Sequence, residues 1–203
     1  MVDGRASEGE DDELDAKMRK DPRLFASEPS RTTRTFGYDW ASGFVSPFLA
    51  STSMDAETIV RRLKLSERDH VLDLGSGDGT LLLHVVGATG ASGTGVELDE
   101  ELVHVARKKQ QAMAVDRVRF LCQDLMEFSV NDSTVVLLFL LPQALAKLGG
   151  KMKRFLREGR DWSPKIVTNK WPLPESQGYL LEEICEGGVH MYIYSQKHTN
   201  NKK

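Results

Sequence analysis

Residues 71–80, reading VLDLGSGDGT, constrain this chain more than any other stretch. Val71, Leu72 and Leu74 surround a single acid, as in a strand covered on both faces, and Gly75, Gly77 and Gly79 follow at once. The spacing predicts a buried strand, a tight turn and a helix opening at Gly79 or Thr80. Glycines in such a turn accept positive φ and let a ligand lie against bare backbone, while the helix start aims its free N–H groups into the turn. A nucleotide-type cofactor is the ligand class such a turn serves.

Charge decides which nucleotide. A phosphate-binding loop carries Lys after its last glycine, and no Gly-Lys-Ser/Thr ending is present. Acids stand in the turn instead, at Asp73 and Asp78. A carboxylate there repels a pyrophosphate and suits a ligand with a positive centre, such as the ammonium and sulfonium of S-adenosylmethionine. A second apolar run, 94–98, carries Gly95, Val96 and Glu97, about twenty residues after the turn. An acid at that strand end is where doubly wound folds hold ribose hydroxyls.

Asp-Leu-Gly-Ser-Gly-Asp-Gly followed by Gly-Val-Glu-Leu resembles motifs I and II of the class I, seven-strand S-adenosylmethionine-dependent methyltransferases. The resemblance implies cofactor contacts from Ser51, Thr52, Asp73, Gly75, Ser76, Gly77, Asp78, Gly79, Glu97 and Leu98. It extends them to Asp124 and Leu125, where the family's acid reaches the adenine amino group, and to Leu140. By chemistry alone, Asp124 serves equally well as a cap on residues 125–128.

Residues 1–30 have few apolar side chains and an acidic run at 8–15, so a disordered acidic leader is expected. Residues 36–52 are aromatic, with Tyr38, Trp40 and Phe48 among them, and are expected to strap over the cofactor pocket while Ser51 and Thr52 cap a helix over about 55–63. The helix over 100–113 has acids first and bases last, matching its dipole. Strands are expected at 117–121, at 133–141 in the centre of the sheet, and at 165–170. A basic helix over 143–160, interrupted at Gly149 and Gly150, offers either a solvated face or a docking surface. Runs 179–185 and 189–196, hinged by Glu186, Gly187 and Gly188, predict an antiparallel hairpin. The fold expected is α/β: a Rossmann-like doubly wound sheet of seven strands with a C-terminal antiparallel hairpin, in a single domain over 31–199 with a frayed tail at 200–203.

The formal charge of -3 and the pI near 6.0 exclude a strongly basic nucleic-acid binder. Cys122 and Cys185 match no metal-ligand spacing, and both are expected to be buried thiols in a chain without a bound metal. No run reaches the eighteen or so apolar residues that span a bilayer. A cytoplasmic monomer is the expectation.

Methyl transfer from a sulfonium is an in-line displacement by a lone pair, so the protein must align donor and acceptor and keep the acceptor unprotonated. None of the five histidines is placed as a compelling general base. An aromatic wall would desolvate a lysine amine and hold it by cation–π contact, and Tyr38, Trp40, Phe48 and Trp171 are candidates, with Asn169 as polar neighbour. Across 46–174 the chain also resembles the small protein-lysine methyltransferases of the ATP synthase c-subunit and adenine nucleotide translocase type, with their prokaryotic relatives. Ser-Pro-Phe-Leu-Ala-Ser-Thr at 46–52, Phe-Leu-Leu-Pro at 139–142 and Trp-Pro-Leu-Pro at 171–174 carry it. Two features depart: the mitochondrial members place an apolar membrane segment where this chain is acidic, and their Pro-Thr-Pro is replaced by Ala50-Ser51-Thr52-Ser53. Three readings stand: methylation of a protein lysine, methylation of RNA or a small molecule, and a cofactor-binding scaffold without catalysis.

Overall fold

The computed structural model describes residues 53–158 and 162–196. In chain order these form α1 (Ser53–Leu63), β1 (His70–Leu74), α2 (Thr80–Thr89), β2 (Ser92–Glu97), α3 (Glu100–Met113), β3 (Val118–Cys122), β4 (Val135–Leu138), α4 (Pro142–Arg157), β5 (Lys165–Asn169), β6 (Leu180–Glu186) and β7 (Val189–Ser195). Seven strands make one sheet in the order β3-β2-β1-β4-β5-β7-β6. Neighbours are parallel from β3 to β5, and β7 runs antiparallel to both β5 and β6. The expected Rossmann-like sheet with its terminal hairpin is present.

Alternation along the strands divides the core in two. Val71, Val135, Leu137, Val167, Met191 and Ile193 face α1, α2 and α3, while Leu72, Leu74, Val136, Leu138, Ile166 and Tyr194 face α4. The inner strands β1 and β4 therefore read as nearly continuous apolar runs, because both faces are covered, whereas the edge strands β3 and β6 carry exposed residues. Leu145, Leu148, Met152 and Phe155 fill the α4 face of the core, each fully buried side chain contributing roughly 1.5–3 kcal/mol.

Three expectations are corrected. Helix α4 passes through Gly149 and Gly150 without a break, because the apolar residues on either side share one buried stripe that outweighs two glycine penalties of about 1 kcal/mol each. The central strand stops at Leu138, and Phe139 to Leu141 lead into α4, which begins at Pro142, a residue suited to a first helical turn. Cys122 and Cys185 are exposed free thiols, since β3 and β6 are the two edges of the sheet. The leader at 1–30, the residues Tyr38, Trp40, Phe48, Ser51 and Thr52, and the tail at 200–203 lie outside the described residues. Among the described residues, no helix is long and apolar enough to cross a membrane.

Candidate active site

Strand β1 sits between β2 and β4 in the middle of the sheet, so the turn after it opens at the carboxyl ends of the parallel strands, where open α/β sheets bind ligands. The N–H groups of Gly75 and Ser76 both donate to Val96 O, at 2.8 and 3.0 Å, which pins the turn to the end of β2. Gly79 has φ 76° and precedes α2. A Cβ there would stand 2.5 Å from the Phe120 ring and 2.8 Å from Ala106 Cβ, so both conformation and space demand glycine. Gly75, at φ 83°, lies beneath Leu140, whose Cδ2 would come within 2.8 Å of an added Cβ, and beside Leu125. Leu125 and Leu140 thus close over bare backbone as two apolar walls.

Glu97, at the end of β2, reaches back across this turn. Its Oε2 accepts the Gly77 N–H at 2.9 Å, and its Oε1 accepts the N–H groups of Leu98 and Asp99 at 2.8 and 3.0 Å. Burial pushes its carboxyl upward in pKa, the three N–H groups pull it back, and Asp99 adds repulsion. Asp73 ends β1 with 2% exposure, and its Oδ1 has no hydrogen-bond partner. Burial first, then Glu97 and Asp78, push the Asp73 carboxyl up to about 7. Ser76 Oγ is a second buried oxygen without a partner. Orphaned acceptors of this kind cost about 1–3 kcal/mol each unless a ligand supplies donors.

Those observations test the fit of S-adenosylmethionine. Its ribose hydroxyls, ammonium and sulfonium supply the donors and the positive charge that Asp73 and Ser76 lack, and Glu97 Oε2, which accepts a single N–H, has room for a ribose hydroxyl. A phosphate-bearing nucleotide would instead meet the buried Asp73 and the half-buried Glu97. The residues present fit the sulfonium nucleoside.

Asp78 does not join this set. Its Oδ2 accepts from Lys109 Nζ at 2.5 Å, and the same Nζ donates to Thr80 Oγ1 at 2.7 Å. Lys109, with Arg107 and Lys108, lies inside α3 rather than in its last turn, so these bases do not complement the dipole as the sequence suggested. Lys109 neutralises the acid at the start of α2 instead, and no sequence spacing signals that pairing. Asp124 Oδ1 accepts the Met126 N–H at 2.8 Å, which closes a turn over residues 125–127 where a capped helix was the alternative, and leaves the residue half-buried beside Leu125.

The exit of β5 carries Asn169 and Trp171, the described residues expected on the acceptor side. Lys170 adopts φ 63°, Trp171 N–H donates to Asn169 O at 2.7 Å, and Thr168 Oγ1 donates to Trp171 O at 2.7 Å. Two residues on, Leu173 N–H donates to the Tyr194 hydroxyl at 2.8 Å. This bonded turn projects Trp171, 45% exposed, next to Asn169. The structure thus places Asn169 and Trp171 together at the carboxyl end of β5, and Thr168 and Tyr194, which sequence reading missed, hold the turn that carries them.

A family model described as the ANTKMT methyltransferase domain matches residues 73–179. The human lysine N-methyltransferase of the ATP synthase c-subunit is 26% identical over 63% of this chain and 53% of its own length. The mouse adenine nucleotide translocase lysine N-methyltransferase is 31% identical over 73% of this chain and 62% of its own. The chain thus matches only about half to three fifths of the length of these two curated relatives. Among solved structures, an RNA methyltransferase from Salinibacter ruber in complex with S-adenosyl-L-homocysteine superposes with a TM-score of 0.66 at 26% identity, covering 76% of this chain and 98% of that one.

Proposed function

The chain belongs to the family of the ANTKMT methyltransferase domain, and from that membership we propose that it transfers a methyl group from S-adenosylmethionine to the side-chain amine of a protein lysine. The carrying observation is a pair of acids, the buried Asp73 and the half-buried Glu97, gathered at one glycine turn, with Asp73 Oδ1 and Ser76 Oγ left without partners. The two relatives named as lysine N-methyltransferases support the choice of acceptor.

The bound donor supplies an electrophilic methyl on a leaving group that is already cationic, so the enzyme needs no general acid. Glu97 would hold the ribose and the Asp73 carboxylate would offset the donor's positive end, while Leu125 and Leu140 would supply apolar walls for the adenine. Asn169 and Trp171, on their bonded turn, orient the incoming amine. An indole face at this rim would hold the ammonium by cation–π contact, and desolvation of the amine as the substrate covers the exposed Trp171 would favour loss of its proton before attack. Tyr38, Trp40 and Phe48 from the aromatic stretch would complete that wall, and Ser51 and Thr52 would approach the donor.

RNA as acceptor is the second reading, favoured by the likeness to the Salinibacter ruber enzyme and by the exposed Arg154 and Arg157 of α4. Incubation with donor carrying a labelled methyl and a fractionated lysate, followed by separate protease and ribonuclease digestion, distinguishes them. Label released by protease, and found as methyl-lysine after hydrolysis, supports the lysine reading. Label released by ribonuclease overturns it in favour of RNA, and absence of label despite donor binding leaves a scaffold.

A further inference from the structure

The hairpin of β6 and β7 brings together three side chains that methyl transfer does not use. Gly187 and Gly188 form its two-residue turn with φ 58° and 83°, a type I′ geometry that sets strand register. In that register Cys185 stands opposite His190 and Glu183 opposite Tyr192. Glu183 and Cys185, two residues apart, therefore point to the same face of β6.

His190 Nε2 lies 3.0 Å from Glu183 Oε1, and Cys185 Sγ lies 3.9 Å from that same oxygen. One ligand atom from each of the three lies within 4.8 Å of the others, and no other such trio occurs among the described residues. Zinc bonds of about 2.1 Å to nitrogen or oxygen and about 2.3 Å to sulfur set tetrahedral ligand atoms roughly 3.6 Å apart. The two shorter separations bracket that spacing, and exposed side chains close the remainder by small rotamer shifts.

The Tyr192 ring packs beside His190, with centroids 4.9 Å apart. The imidazole therefore has an outer neighbour that limits its orientation. Linear spacing conceals the trio, because the contact between Cys185 and His190 comes from the turn.

We propose that Glu183, Cys185 and His190 form a three-ligand site for a zinc-class divalent cation, with solvent in the fourth position. The mixture of imidazole, thiolate and carboxylate selects a borderline-soft ion over magnesium or calcium. Binding releases the thiol proton and replaces the hydrogen bond between His190 and Glu183 with two metal bonds. Its effect reaches the methyl-transfer rim, because Lys170 N–H donates to His190 O at 2.7 Å and Asn169 pairs with Met191. A loaded site ties the two outer strands together beside the turn that carries Trp171.

The test is titration of the full chain with Co2+ as the probe. The expected result is one equivalent bound, with a thiolate-to-cobalt charge-transfer band that Zn2+ abolishes and Mg2+ does not. Cys185→Ser should remove the band, and His190→Ala should weaken binding at least tenfold. Cys122→Ser should change nothing. All three positions are exposed or half-buried, so melting curves without metal should coincide with that of the parent chain and exclude misfolding. A wild-type protein without the thiolate band overturns the site, as does a band that survives Cys185→Ser or is lost with Cys122→Ser. Failure here leaves donor binding untouched, so it is separable from failure of the methyltransferase reading.

Discussion

Glu97 Oε2 accepts the backbone N–H of Gly77 at 2.9 Å across a sequence separation of 20 residues. One carboxylate thus ties the end of β2 to the glycine turn after β1, and it is the group proposed to hold the donor's ribose. Removing it should loosen both.

Glu97→Ala should weaken binding of S-adenosylhomocysteine by on the order of 1–3 kcal/mol, the range for a charge-assisted hydrogen bond. Calorimetry measures this directly, with circular dichroism to confirm the fold. Unaltered affinity in a folded variant removes Glu97 from the donor site.

Asp73 makes binding and stability depend on pH in opposite senses. Its carboxyl rises from 3.8 to about 7 on folding, so between those values the folded chain holds a proton that the unfolded chain has lost. The unliganded protein should therefore lose stability, by a few kcal/mol, as pH rises through that window. A cationic donor favours the ionised carboxylate, so its affinity should increase as pH approaches 7 and level off above. Binding should release protons, seen as a buffer-dependent heat. Asp73→Asn should flatten both profiles, and a wild-type profile already flat refutes the coupling.

Gly79→Ala places a methyl group 2.5 Å from the Phe120 ring at φ 76°. Strain and overlap together should cost about 2–4 kcal/mol, read from urea unfolding. A loss below about 1 kcal/mol would mean that Phe120 yields freely.

Lys109→Met leaves the Asp78 carboxylate, 5% exposed, without its cation. Breaking a fully buried pair costs about 3–5 kcal/mol, and with Lys109 at 35% side-chain exposure the expected loss is about 1–3 kcal/mol. Chemical denaturation measures it, and the double variant Lys109→Met/Asp78→Asn should recover most of the loss.

Trp171→Ala should lower kcat/KM for a lysine-bearing protein about tenfold while leaving donor affinity intact, within the range of a partly desolvated cation–π contact. Trp171→Phe should retain most of the activity. Equal loss in donor binding would place the indole on the other side of the site.

Much of this was legible in the chain because it rests on local rules. Apolar runs without alternation announced covered strands, and glycines at 75, 77 and 79 announced a turn of positive φ. The acid at position 97 followed from its place at a strand end. The hairpin glycines at 187 and 188 announced a reversal, while Glu186, read as part of the hinge, ends β6 opposite Val189. Contacts between distant segments were not legible. That Lys109 would neutralise Asp78, that Phe120 would fill the space under Gly79, and that Tyr194 would hold the Trp171 turn depend on how helices and strands are set against one another. The same holds for edge position, which exposes both cysteines, and for hairpin register, which sets Cys185 opposite His190. Backbone preferences act over a few residues and are written in order, whereas side-chain partners are chosen by three-dimensional packing, which order along the chain does not record.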